Sequence, residues 1–192
     1  MRTIFVKTAA LLITGLAATA SFTVLAQDAE NRLVIELESG EVVVELLPDV
    51  APEHVARVKE LAEAGEYDNV AFHRVIDGFM AQTGDVEFGD LTDGYVAPRA
   101  GTGGSSLPDL EAEFSDIPFE RGTLGMARAQ DPNSANSQFF IMFDEGAFLN
   151  GQYTVFGQVA EGMEHVDALK KGDAAANGAV DNPDRMISVR VE

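Results

Sequence analysis

Apolar and polar positions alternate along much of the chain, and the points where the rhythm changes mark its elements. Residues 33–38 and 41–47 are rich in Val, Leu and Ile, with polar residues between them. They are joined by Ser39-Gly40, which predicts a β-hairpin. Pro48 ends the second run, and Pro52 followed by Glu53 suits the first turn of a helix. Val55, Val58, Leu61 and Ala62 then give the 3–4 spacing of one buried helical face, and Gly65 closes it. This helix is expected to cover one opening or face of a sheet, with His54 as a surface residue on it.

Residues 72–76 begin like a buried strand, with Phe72, Val75 and Ile76 apolar around Arg74. The run breaks at the turn dipeptide Asp77-Gly78 and resumes through Phe79, Met80 and Gln82 to a Gly84-Asp85 turn. Residues 86–118 show no period and are dense in Gly, Pro, Asp and Ser. A loop that long inside a compact domain usually carries function or moves. Strands are then predicted over 122–129, 137–143 and 153–159, a helix over 163–171 and a final strand over 186–191. The total is seven or eight strands and two helices, with mostly antiparallel connections and no βαβ rhythm. That pattern predicts a mainly β fold, a closed eight-stranded antiparallel β-barrel capped by two α-helices.

Composition adds an address. Residues 1–26 differ from the rest: Arg2 and Lys7, then an apolar run, then Val24-Leu25-Ala26. They read as a secretory signal peptide cut after Ala26 rather than as a membrane anchor, because Thr14, Gly15, Thr19, Ser21 and Thr23 dilute the run. Residues 27–192 form one domain with no repeat and no linker. The 192-residue chain has a formal net charge of −19. Cleavage would remove two cations and no acid. So acidic a surface repels nucleic acid and anionic lipid, which are therefore not expected partners. With no cysteine, the chain has no disulfide, thiol nucleophile or thiolate metal site. Export without these features, and without a lipobox cysteine, suits a bacterial periplasm or a secreted space.

Candidate chemistry concentrates at Arg74. Two readings stand for that segment alone: a surface cation whose stem covers apolar neighbours, or a buried charge that is put to use. Other sources of reactivity are missing. There is no nucleophile elbow and no H-E-x-x-H, and His54, His73 and His165 lie on separate elements, so no metal is expected. Gly101-Thr102-Gly103-Gly104 lacks the following Gly-Lys-Ser/Thr of a phosphate loop. A catalyst built from this chain would work by shape, desolvation and hydrogen bonding, without a cofactor.

Five segments carry a family resemblance. F-H-R-V-I-D-G-F-M-A-Q-T-G-D at 72–85 is followed by G-T-G-G at 101–104 and G-T-L-G-M-A-R-A at 122–129. S-Q-F-F-I at 137–141 and F-L-N-G-Q-Y-T-V-F-G-Q-V at 148–159 complete the set. In order and spacing they resemble the cyclophilin peptidyl-prolyl isomerases, over about residues 33–191, and the leader with its shortened loops resembles the bacterial periplasmic branch.

The resemblance implies isomerisation of X-Pro bonds in exported polypeptides, with Arg74 as the donor to the prolyl nitrogen and Gln82 steadying it. Phe79, Met80, Phe140 and Leu149 match the pocket for the proline ring. Ala127 and Arg128 match the backbone that pairs with substrate, and Gln138 an amide in the same groove. Three positions depart from the common pattern. Phe148 stands where many members have tryptophan, so cyclosporin binding is expected to be weak for want of an indole donor. Tyr153 stands where many have histidine. Arg128 replaces a common asparagine and is expected to alter substrate preference more than rate. A monomer is expected. The competing function is a proline-peptide binding module or holdase that uses the same groove without turnover.

Overall fold

The structure is a computed structural model that describes residues 31–192. The signal peptide expected over 1–26 lies outside the described residues. Eight strands form one sheet: β1 (Arg32–Leu37), β2 (Gly40–Leu46), β3 (Arg74–Ile76), β4 (Met80–Thr83), β5 (Thr123–Met126), β6 (Phe139–Met142), β7 (Val155–Glu161) and β8 (Ser188–Val191). Their order across the sheet is β3-β4-β6-β5-β7-β2-β1-β8. All ladders are antiparallel. In the β1–β2 hairpin Leu37 pairs with Gly40, so the turn falls on Glu38 and Ser39, one residue earlier than the Ser39-Gly40 turn expected. Two helices accompany the sheet, α1 (Pro52–Glu63) and the short α2 (Met163–Asp167).

The sheet curls but does not close, which corrects the expected closed barrel. Its end strands β3 and β8 share no ladder. An irregular stretch bridges them, with isolated pairs Ala71↔Arg185 and Arg74↔Ala179. Single backbone bonds such as Phe72 N–H to the Asp184 carbonyl (2.8 Å) join the same segments. The reason is local. Asn177 and Asn182 sit at φ 54° and 51°, and Pro183 has no N–H to give a ladder. Residues 177–183 therefore cover the β3 edge without extending into a ninth strand.

The core lies inside the curl, where Leu33, Ile35, Val44, Phe139, Ile141 and Phe156 are buried. Helix α1 packs Val55, Val58, Leu61 and Ala62 onto it. Its neighbour His54 is fully buried, contrary to the surface position expected. Ala51 caps α1 with no side-chain bond, and Glu113 from the long loop takes over that task. Its carboxylate accepts from the Glu53 and His54 N–H groups (3.3 and 3.1 Å) and contacts His54 Nδ1 at 2.7 Å. A carboxylate there also meets the positive end of the helix dipole. The second helix ends at Asp167, four residues before expectation, and Lys171 Nζ turns back to donate to the Asp167 and Leu169 carbonyls.

Candidate active site

The strands that carry the motifs are two-faced. Val75, Ala81, Phe139 and Ile141 point into the main core, whereas Met80, Phe140 and Met142 join a second apolar cluster with Phe119, Leu149 and Val155. Period-2 alternation separates the two, as it must on a pleated sheet. Met80, Phe140 and Leu149 are thus not ordinary interior residues: they build a groove on the outer face. Gly125 on β5 permits it. A Cβ there would lie 2.5 Å from both the Phe119 and the Phe140 ring, whose centroids stack at 5.6 Å.

A cavity of about 290 Å³ opens on this face. Phe79, Met80, Phe140 and Leu149 give it apolar walls, and Arg74, Gln82, Ala127, Arg128, Phe148 and Tyr153 complete the lining. Gln138 lies next door. It lines a cavity of about 260 Å³ that shares Gln82, Ala127 and Arg128 with the first and reaches Gly101–Gly103 and Asn136. All eleven residues singled out from the sequence are therefore gathered along one groove. Neither cavity has a carboxylate in its lining.

Arg74 and Gln82 face each other directly across β3 and β4. Arg74 Nη1 donates to Gln82 Oε1 at 3.1 Å, Gln82 Nε2 to Gln138 Oε1 at 2.9 Å, and Gln138 Nε2 to the Gly103 carbonyl at 2.7 Å. Each amide accepts on one side and donates on the other, so the chain of bonds has one polarity throughout. On its far side the guanidinium donates to Asn177, from Nε to the carbonyl (3.0 Å) and from Nη2 to Oδ1 (3.2 Å). Partial burial lowers the Arg74 pKa and the nearby Tyr153 opposes the shift, but an arginine starts so high that it keeps its charge.

The groove's rim is aromatic. Tyr153 meets Phe140 edge-on at 5.9 Å, and exposed Phe148 lies against Phe79 at 5.4 Å. The Arg128 side chain does more than its backbone role implies. Its guanidinium sits 4.4 Å over the Tyr153 ring and donates to the Ala129 and Gln152 carbonyls, both at 2.9 Å. It ties the end of β5 to the turn that carries Phe148 and Tyr153.

Three residues behind the groove escaped the sequence reading. Asp85, read only as a turn residue, is fully buried and accepts four backbone N–H groups, from Glu87, Phe88, Gly101 and Gly103, at 2.7–3.1 Å. The G-T-G-G run is glycine-rich so that it can lie on this carboxylate: a Cβ on Gly103 would come within 2.5 Å of Asp85 Oδ1. His73 is buried beneath Gly101, and burial pulls its pKa down to about 4 against the opposing charge of Asp85. Asn177 is the third. Asp85 had a signal in its Gly-Asp setting; the other two had none, because their partners are distant in sequence. Among the described residues, no group of three or more His, Asp or Glu side chains is placed to hold a metal ion.

Comparison with known proteins agrees with this geometry. The family described as "Cyclophilin type peptidyl-prolyl cis-trans isomerase/CLD" matches residues 32–191. A Brucella suis protein named "Probable peptidyl-prolyl cis-trans isomerase" is 62% identical over 170 residues, 88% of this chain and 87% of its own. Among solved structures, the cyclophilin AquaCyp293 from Hirschia baltica superposes with a TM-score of 0.72 at 27% identity. That match covers 92% of this chain and 81% of that one. A cyclophilin-type isomerase from Cryptosporidium parvum, crystallised in the presence of the dipeptide Ala-Pro, gives 0.71 at 27% identity over 84% and 98%. With the family match spanning residues 32–191 and a relative 62% identical over 88% of this chain, the chain belongs to the cyclophilin-type peptidyl-prolyl cis-trans isomerases.

Proposed function

We propose that Arg74 is the group that accelerates X-Pro rotation here, with a proline ring seated among Phe79, Met80, Phe140 and Leu149. The supporting observation is the guanidinium held at the rim of an apolar cavity by Gln82. The uncatalysed reaction faces a barrier of roughly 18–20 kcal/mol from amide resonance and takes on the order of tens to hundreds of seconds. As the bond twists, the prolyl nitrogen leaves conjugation and its lone pair becomes basic. A fixed N–H donor aimed at that atom binds the twisted state better than either planar isomer, which is the condition for catalysis. No bond breaks, so no nucleophile or proton acceptor is required.

The lining carries the rest of the assignment. Gln82 and Gln138 hold the donor and offer amide edges to substrate backbone. Ala127 and Arg128, just past the end of β5, lie where an extended peptide can pair. The Ala-Pro dipeptide present with the Cryptosporidium relative supports a proline-containing segment as the occupant. The chain acts on exported polypeptides in the periplasm, a reading supported by its residues 1–26. Cyclosporin binds weakly, because Phe148 at the rim has no N–H; inhibition at low nanomolar concentration would contradict this.

The experiment is isomerisation of a proline tetrapeptide by residues 27–192 in chelator with no additive. Full acceleration supports the enzyme. Peptide binding without acceleration would favour a holdase using the same groove.

A further inference from the structure

Arg74 has five N–H groups, and the structure spends most of them before any substrate arrives. One Nη1 hydrogen goes to Gln82 Oε1, and Met80 Sδ lies near the same nitrogen at 3.9 Å. Nε and one Nη2 hydrogen go to the two oxygens of Asn177. What remains free is the second Nη2 hydrogen and whatever Met80 holds loosely. Gln82 alone would leave the guanidinium able to swing about its stem; a second partner on the opposite edge fixes its plane.

Asn177 is built to be that partner. Strand β3 is flanked by β4, which carries Gln82 directly opposite Arg74. On its other side lies the 172–180 turn, where Ala179 pairs with Arg74. Asn177 is therefore the diagonal neighbour two residues along, within reach of a long side chain. Backbone bonds hold the turn to the strand: Val75 N–H to the Gly178 carbonyl, Gly172 N–H to the Val75 carbonyl (both 2.8 Å), and Val180 N–H to the His73 carbonyl (3.1 Å). Asn177 itself is left-handed, at φ 54° and ψ 33°, a conformation that asparagine tolerates better than most residues. In that conformation both its oxygens reach one guanidinium.

We propose that Asn177 is a positioning residue for isomerisation, which with Gln82 clamps Arg74 so that its free N–H points into the groove. The proposal rests on the reading of Arg74 as the donor.

Asn177→Gly separates Oδ1 from everything else, because glycine keeps the left-handed turn and the main-chain carbonyl. The expected result is a kcat lowered by about 5- to 20-fold, the effect of losing one charge-assisted hydrogen bond, with KM within about twofold and thermal stability retained. In ¹⁵N NMR, rotation of the Arg74 Nη2 group speeds up. In an Arg74→Ala background the same change has no further effect on kcat/KM, since Asn177 acts through Arg74. Unchanged kcat and unchanged rotation in folded N177G overturn the proposal, as does an equal loss in the R74A background. Asn177→Asp carries the same test should glycine loosen the turn: its carboxylate keeps the acceptor, so the guanidinium stays hindered, and free rotation there also overturns the proposal. Full turnover by R74A itself would remove the reading of Arg74, and this clamp with it.

Discussion

At the scale of single residues, a guanidinium among apolar neighbours is costly in a core and useful at a rim, and Arg74 occupies the rim. Its motif made that placement legible: Arg74, Gln82 and the Phe79–Met80 pair lie within nine residues, and strand periodicity puts 74, 80 and 82 on one face. Asn177 was not legible, because it meets Arg74 from 103 residues away and its Asn-Gly setting reads only as a turn. His73 was hidden for another reason, since its burial depends on a loop closing over it. That burial has a measurable consequence. A histidine whose folded pKa is near 4 but whose unfolded value is about 6.5 binds its proton only on unfolding within that window. Its contribution to stability is therefore complete above pH 6.5 and is lost as pH falls toward 4, by at most about 3 kcal/mol. Urea unfolding between pH 7 and pH 4.5 should show that slope, and His73→Phe should flatten it. Equal slopes in the two proteins would contradict this account of His73.

At the scale of elements, the hairpin, helix α1 and the motif strands followed from period and turn chemistry, while residues 86–118 offered no period to read. Their order comes from side chains far apart in sequence. Asp85 gathers the 101–103 backbone, Arg57 donates to the Pro108 and Asn136 carbonyls, and Glu113 caps α1. None of these pairings leaves a local pattern. The cap makes a clean test, because it lies away from the groove. Glu113→Ala should lower unfolding free energy by about 1–2 kcal/mol, the usual worth of an N-cap, with X-Pro turnover unchanged. A large loss of turnover would mean that the long loop bears on the groove more directly than its contacts indicate. Helix α2 shows the opposite case: its apolar spacing extends to Leu169, but the last residues turn tighter and the Lys171 side chain takes over two of the free carbonyls.

At the scale of the whole molecule, the difference between an expected barrel and an open curl comes down to a few residues. Eight strands with alternating faces predict closure, yet Asn177, Asn182 and Pro183 interrupt the one segment that could have joined β3 to β8. That interruption is also what frees the 172–180 turn to hold Arg74. Charge is distributed as unevenly as shape. The chain is strongly acidic, with a formal charge of −19, but the groove linings hold Arg74 and Arg128 and no carboxylate. The outer field should draw cationic unfolded chains toward the protein at low salt. For a lysine-flanked proline peptide, kcat/KM is expected to fall several-fold as ionic strength rises to about 0.5 M, where screening reaches only a few ångströms; a neutral peptide should show little change. Equal salt dependence for both would remove long-range attraction from the account.

If one fixed donor supplies the acceleration, Arg74→Ala removes it. Exchange between cis and trans isomers of an X-Pro tetrapeptide should be measured by NMR at saturating peptide, alongside the dissociation constant of the same peptide. The expected kcat is lowered by about 100-fold or more, the scale seen when a transition-state donor is removed, with binding changed by no more than a few-fold. An R74A protein that turns over its substrate at the parent rate would contradict the reading of Arg74 as that donor.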